Sequence, residues 1–438
     1  MRLIALLVYY IAANARFSRV AGRYRTGRQK GQDMRASILW RLALAVLSSN
    51  TVLAADQPPI GVAPVELQGP YVFDTAEQHG IKVTLLARDL TRSFGLAFLP
   101  DGDLLVSVRG GPLRIIHDAT GANPVLDPAP VPGLPALDGV SRNGGLQDIA
   151  LHPDFAENHY LYFTFNKHEP VAAGGEAPQQ RRGAVTLMRA RYENGRLEEA
   201  EELFAGGYSG MSGSRIAFAN DGTVYFTTSG PNGDVSQQLD SIYGKVLRLN
   251  DDGSIPADNP FVGQPGANGA IFAYGFRDQL GLAVHEGTGT VFAADHGMNG
   301  GDEVNLLKPG ANYGWPTYSF SRNYQGARVS ELPVSADIEQ PQVLWSPSIA
   351  PSGMNFYNGD KFPAWKGNLF VASARRGEVD RTGGLERVVF NDSFGDVRRE
   401  TLLTELHQRI RQVVQGPDGN LYVLTDGDEY AVLRIEPN

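Results

Sequence analysis

Six times along the chain a short apolar run gives way to a polar turn and then to a second apolar run. The segments are Gly95–Val106, Asp148–Phe163, Arg215–Phe226, Gly281–Phe292, Gly353–Val371 and Gln412–Val423. Within each run, apolar residues alternate with small or polar ones, the period of a strand with two faces. Asp101-Gly102, Asp221-Gly222 and Asp418-Gly419 are dipeptides that close a tight hairpin. One hairpin in about 64 residues leaves room for four strands and their loops, the size of a propeller blade. The repeat therefore predicts an all-β chain, a six-bladed β-propeller with four-stranded antiparallel blades. A chain of 438 residues would ordinarily divide into domains. Repeats that pack mainly on their neighbours escape that limit, and no Pro/Ser-rich linker interrupts residues 55–438, so they read as one domain. The acidic stretch Gly195–Leu203 looks locally helical but is read as a connection between strands, rich in exposed acid. In a propeller the loops of all blades meet near the central channel, so site residues should be scattered along the sequence.

The N-terminal segment is of another kind. Residues 1–55 hold nine Lys or Arg against Asp33 alone. Removing that excess of eight from the net charge of −9 leaves a body near −17. Such a body repels nucleic acid and anionic lipid, and neither is expected as a partner. From Met34 a basic start leads into the apolar stretch Leu42–Leu47, with Val52 and Ala54 at the −3 and −1 positions of a cleavage site. Residues 34–54 are read as a signal peptide and residues 1–33 as a non-structural extension, which places the mature chain in the periplasm or outside the cell. The run Leu3–Ala13 is too short to span a bilayer, and no span is expected in the mature chain. There is no Cys, which excludes disulfides, thiolate nucleophiles and Cys-ligated metal centres.

Gly244–Phe261, reading Gly-Lys-Val-Leu-Arg-Leu-Asn-Asp-Asp-Gly-Ser-Ile-Pro-Ala-Asp-Asn-Pro-Phe, resembles a signature of the soluble quinoprotein aldose and glucose/sorbosone dehydrogenases. Gly144–Phe155, Tyr274–Arg277, Asp295–Asn305, Asn312–Pro316, Ser348–Met354 and Arg409–Arg411 resemble the same family in the same order, over about residues 85–437. The resemblance implies a six-bladed propeller that binds pyrroloquinoline quinone (PQQ) with calcium and oxidises a sugar or polyol. PQQ is a flat tricarboxylate, so its pocket should gather guanidinium groups suited to forked contacts. Arg409 and Arg411 alternate on one strand and should project to one face. The resemblance makes both cofactor contacts, together with Arg375, Ser348 and Arg277. It also places the carbonyls of Gly297 and Met298 on a catalytic calcium, and Glu303 with the carbonyl of Tyr313 on a second one. Calcium accepts such oxygen ligands. Met298 stands where the family usually has proline, and His296 beside it reads equally well as a packed loop residue.

Two departures fall at the proton-transfer site. The family's base histidine precedes a Gly-Gly-Arg or Gly-Ser-Arg segment, and here Met211 occupies its place before Gly213-Ser214-Arg215. Methionine accepts no proton at neutral pH. The family's Arg-Asn-Pro-Gln becomes Arg277-Asp278-Gln279-Leu280, which makes Asp278 the candidate base, with an Arg-Asp structural pair as the plainer reading. Asn143 stands where a substrate-binding glutamine is common. Three functions follow for comparison: a PQQ- and calcium-dependent sugar or polyol dehydrogenase with an unusual base and an unidentified electron acceptor; a non-catalytic propeller that keeps a sugar or cofactor cup; and a calcium-dependent lactonase. No dinucleotide, Walker or serine-hydrolase motif is placed between a strand and a helix. Trp315, Tyr318 and Trp345 are read first as core residues and second as stacking partners for a ligand.

Overall fold

Each of the six sequence hairpins forms the two inner strands of one blade. The computed structural model describes residues 61–135, 145–169, 182–209, 213–230 and 233–438. The leader, Asn143 and Met211 lie outside the described residues.

The blades follow one another in chain order. The first contains β3 (Ser93–Phe98), β4 (Leu104–Val108), β5 (Leu113–His117) and β6 (Val125–Leu126). The second contains β7 (Gly145–Leu151), β8 (Tyr160–His168), β9 (Gly183–Glu193) and β10 (Arg196–Ala205). The third contains β11 (Ile216–Phe218), β12 (Val224–Thr228), β13 (Lys245–Leu249) and β14 (Ile271–Tyr274). The fourth contains β15 (Gln279–His285), β16 (Thr290–Asp295), β17 (Asp302–Leu306) and β18 (Val343–Trp345). The fifth contains β19 (Pro351–Phe356), β20 (Leu369–Ser373), β21 (Gly384–Phe390) and β22 (Asp396–Leu402). The sixth joins both ends of the described chain. Its inner strands β23 (Ile410–Gln415), β24 (Leu421–Thr425) and β25 (Val432–Pro437) are extended by β2 (Ile81–Ala87) and β1 (Tyr71–Phe73). Pairing of Val83 with Ile435 and Leu85 with Leu433 closes the ring, so β25 presents no unpaired edge.

The alternation seen in the sequence has a direct use here. Leu104 and Val106 face the sixth blade, where they pack with Tyr422, Leu424 and Val432. Leu105 between them faces the second blade and packs with Leu146, Leu161 and Phe163. The same division recurs around the ring, so the core consists of six apolar wedges, one between each pair of adjacent blades. Trp345 lies in the wedge between the fourth and fifth blades, and Trp315 is also buried.

The expectation for Gly195–Leu203 needs correcting in one respect. Arg196–Ala205 is itself a strand, the outermost of the second blade, and not a connection between strands. Its pairing slips between Glu198 and Glu201, and its run of exposed glutamates makes the outer edge a poor template for further strands.

The six inner strands meet their neighbours around the channel, and this crowding explains the small residues that begin several hairpins. A Cβ on Gly281 would stand 2.4 Å from the Ser352 carbonyl, and one on Gly95 would stand 2.5 Å from Asp148 Oδ1. Pairing shifts by a bulge in β3, β7, β15, β19 and β23, each near the strand's start. Such bulges re-aim side chains, here at the end where the candidate site lies.

Candidate functional site

Arg215 fastens the channel. Its Nε donates to the Leu280 carbonyl at 2.8 Å, and one terminal nitrogen donates to the Phe94 carbonyl and to Asp148 Oδ1, both at 3.1 Å. The other donates to Ser352 Oγ at 3.2 Å and to the Arg411 carbonyl at 2.9 Å. All five N–H groups are used, and with Arg215 on the third blade every blade is engaged. Burial draws this guanidinium down to about 10, with Asp148 as the main opposing influence. The earlier residues of the inner strands line one cavity, of about 730 Å³. Later residues of the same strands line a second, of about 600 Å³.

The 730 Å³ cavity brings together Arg92, Arg109, Arg409 and Arg411 with the carboxylates Asp278 and Asp426, and with His296 and Gln147. Arg411 is fixed by Asp426, to which its Nε donates at 2.7 Å, and reaches Ser352 Oγ at 3.3 Å. Burial alone would raise the Asp426 carboxyl, but Arg411 and Arg409 hold it below the usual range. Burial, then Arg411 beside it, lower the Arg409 guanidinium. Arg409 and Arg411 thus share one cavity, as their spacing predicts, although the bulge between Ile410 and Gln412 shapes that end of the strand.

Asp278 stands in the cavity wall and accepts the Ser229 hydroxyl. Its placement depends on Asp295 at the end of β16. That carboxylate accepts the backbone N–H of Arg277 at 2.9 Å and of Asp278 at 2.6 Å, and burial pushes it up to about 7. Arg277 does not form an ion pair with Asp278. Its guanidinium donates to the carbonyls of His296 at 3.3 Å and Gly297 at 3.0 Å, and reaches the Tyr324 hydroxyl at 3.5 Å. His296 lines the cavity, and its Nε2 donates to the Pro351 carbonyl.

Of the other candidates, Arg277, Arg375, Ser348, Gly297, Met298, Glu303 and Tyr313 do not line this cavity. Arg375 turns to Glu378 at 2.9 Å and Asp380 at 3.7 Å, yet its charge is felt by Arg409. Ser348 is buried. Its hydroxyl accepts Gly300 N–H at 2.7 Å and donates to Asp302 Oδ1 at 3.1 Å. Asp302 also accepts Gly297 N–H at 2.8 Å and the N–H groups of Ile349 and Ala350 at 2.7 Å. Ser348 and Asp302 therefore hold the shape of the loop that carries Gly297 and Met298. Glu303 faces Asp295 across the β16–β17 pair, and burial, then the Asp295 charge, push it up to about 8. Tyr313 stacks on Phe276 with ring centroids 4.5 Å apart, and burial raises its phenol. Among the described residues, no group of three or more His, Asp or Glu is arranged to hold a metal. No helix among them is long and apolar enough to cross a membrane.

This cavity lies within a stretch that a sequence model for glucose/sorbosone dehydrogenase matches from residue 90 to residue 434. The chain belongs to the glucose/sorbosone dehydrogenase family. The Escherichia coli aldose sugar dehydrogenase YliI is 34% identical, over 82% of this chain and 93% of its own. The structure of the soluble aldose sugar dehydrogenase from Escherichia coli in its apo form matches with a TM-score of 0.72 at 31% identity, covering 82% of this chain and 100% of that one. The PQQ-bound aldose sugar dehydrogenase from Streptomyces coelicolor matches with a TM-score of 0.61 at 28% identity, covering 81% and 98%.

Sequence reasoning on this glucose/sorbosone dehydrogenase family member passed over Arg92, Arg109, Ser229, Asp302 and Asp426. It used Arg215 only as the first residue of the third hairpin and to locate Met211. One signal was available: Arg109 ends the apolar run Leu104–Val108 and is followed by Gly110-Gly111, which places a cation at a strand end beside a turn.

Proposed function

We propose that the protein is a PQQ- and calcium-dependent dehydrogenase that oxidises a sugar or polyol hydroxyl outside the cytoplasm. The observation that carries this reading is the convergence of Arg92, Arg109, Arg409 and Arg411 on one cavity of about 730 Å³ that holds two carboxylates. A flat tricarboxylate suits such a pocket in charge and in size. When bound, the quinone supplies an acceptor for the substrate's hydride. Arg409 and Arg411 hold its carboxylates, and the contact of Asp426 with Arg411 keeps that side chain in one orientation. Asp278 takes the hydroxyl proton of the substrate, with Ser229 fixing its carboxylate and Asp295 fixing its backbone.

The calcium part of the reading fits the residues less well. The Gly297 carbonyl already accepts a hydrogen bond from the Arg277 guanidinium, so a calcium ion held by Gly297 and Met298 would share that oxygen with a neighbouring positive charge. Glu303 and the Tyr313 carbonyl remain the proposed second site. Glu303 faces Asp295 with no described cation paired to either side chain, an arrangement that a divalent ion would relieve.

Absorbance titration of the purified protein with PQQ, with and without calcium, followed by dye reduction with a panel of aldoses and polyols, tests the reading. Saturable binding together with reduction by at least one sugar is the expected result. Absence of binding at about 10 μM PQQ would overturn it. Binding without turnover would favour a propeller that keeps the cup and has lost the reaction.

A further inference from the structure

The cavity holds more cationic groups than the Arg409–Arg411 pair, and the excess lies on the first blade. Arg109 follows β4 and Arg92 precedes β3, and the two are joined by a backbone bond from Arg109 N–H to the Arg92 carbonyl at 2.9 Å. Ser93 begins β3 and is only 2% exposed. All three line the cavity. Of its two carboxylates, Asp278 is bonded to Ser229, and Asp426 is bonded to Arg411 while its charge also acts on Arg109. Arg109 Nε is buried and has no hydrogen-bond partner among the described residues, and the same holds for Ser93 Oγ. The Arg109 guanidinium lies over the Phe94 ring, 4.5 Å from its centre, in a cation–π contact. Burial, then Arg411 beside it, lower this guanidinium to about 9, which leaves it charged at neutral pH. Arg109 is a buried cation on which Arg411 acts more strongly than the opposing Asp426, and its unpartnered Nε–H calls for an anion.

We propose that Arg109, with Ser93 and Arg92 beside it, forms an anion subsite on the first blade that accepts a carboxylate, separate from the Arg409–Arg411 pair. Two sources have this chemistry: a carboxylate of the quinone, or the carboxylate of an acidic sugar held above it. Only the choice between these sources rests on the proposed function. The subsite itself rests on the cavity wall.

Calorimetric titration of the full chain with malonate, without PQQ, tests the subsite directly. Arg109→Gln is expected to lose at least about tenfold in malonate affinity. Arg109→Lys, which keeps the charge, should retain most of the binding, and matched melting curves establish that both variants are folded. PQQ titration and the KM for glucuronate against glucose then separate the sources. Weaker PQQ binding in Arg109→Gln assigns the quinone. Unchanged PQQ binding with a raised KM for glucuronate alone assigns the acidic sugar. Malonate affinity equal to that of the unaltered protein in Arg109→Gln overturns the proposal. An unaltered protein that binds malonate through Arg109 but binds no PQQ would instead overturn the dehydrogenase reading and leave the subsite standing.

Discussion

Arg215 and Asp148 form an ion pair at 3.1 Å with side chains only 2% and 4% exposed, at the point where all six blades meet. Asp148 Oδ2 also accepts Ile216 N–H at 3.0 Å, so the carboxylate joins the second blade to the third. Removing one partner leaves a buried charge uncompensated, at a cost of about 3–5 kcal/mol. Arg215→Met should therefore show a large loss in urea unfolding. Arg215→Met combined with Asp148→Leu should lose less than the sum of the single changes. Additive losses would show that the pair is not coupled.

A second prediction concerns pH at the surface. His117 Nδ1 lies 2.5 Å from Asp103 Oδ2, and its Nε2 lies 3.4 Å from Asp127. The hydrogen bond to Asp103, assisted by Asp127, raises the imidazole above its usual range. A raised value means that the protonated form is favoured by folding. Its stabilisation is complete below the unfolded value of about 6.5 and disappears as pH rises through the folded value. The ring is half exposed, so the effect should stay below about 1 kcal/mol. Proton NMR titration should show a midpoint above about 6.5 that falls toward it in Asp103→Asn. An unchanged midpoint would refute the assignment.

The fold was legible because a period of two, interrupted six times by a polar turn that is Asp-Gly in three cases, fixes strands, hairpins and blade number together. Residues such as Leu104 and Leu105 carry their destination in their order alone. The site was legible only where groups lie close in sequence, as Arg411 in β23 and Arg409 do, although Arg409 stands just before that strand and not on it as expected. Arg215 could not be recognised as the hub, because its five acceptors come from residues between 65 and 196 positions away. Arg277 next to Asp278 suggested an ion pair. Asp295 instead takes both backbone N–H groups, and the arginine reaches across to the Gly297 carbonyl, so the two side chains have separate partners. The glutamate-rich strand Arg196–Ala205 misled for a related reason: its helical composition is overridden by pairing with β9.

The proposed role of Asp278 makes a kinetic prediction. Asp278→Asn keeps the size and the backbone contacts to Asp295 but removes the proton acceptor. Turnover should fall by about 10²–10⁴-fold while PQQ affinity stays within about twofold. Ser229→Ala, which removes the hydrogen bond to Asp278 together with the hydroxyl that accepts Gly213 N–H at 3.1 Å, should give a smaller loss. Retention of full turnover in Asp278→Asn would exclude Asp278 as the base.

The two neighbouring arginines of the sixth blade should separate stability from binding. Arg411 is bonded to Asp426, and the exposures are 7% and 17%. Its loss in Arg411→Met strands a buried carboxylate and should cost about 3 kcal/mol as well as cofactor affinity. Arg409 lines the same cavity, and its charge is opposed by burial and by Arg411. Arg409→Met breaks no close ion pair; it relieves the repulsion from Arg411 but also removes a charge that helps hold Asp426 ionised, so its melting temperature should fall less than that of Arg411→Met. Its PQQ affinity should nonetheless fall by at least about tenfold, equivalent to about 1.4 kcal/mol. Paired melting curves and PQQ titrations of the two variants check both halves. Equal destabilisation in the two would contradict the assignment of Arg409 to ligand binding.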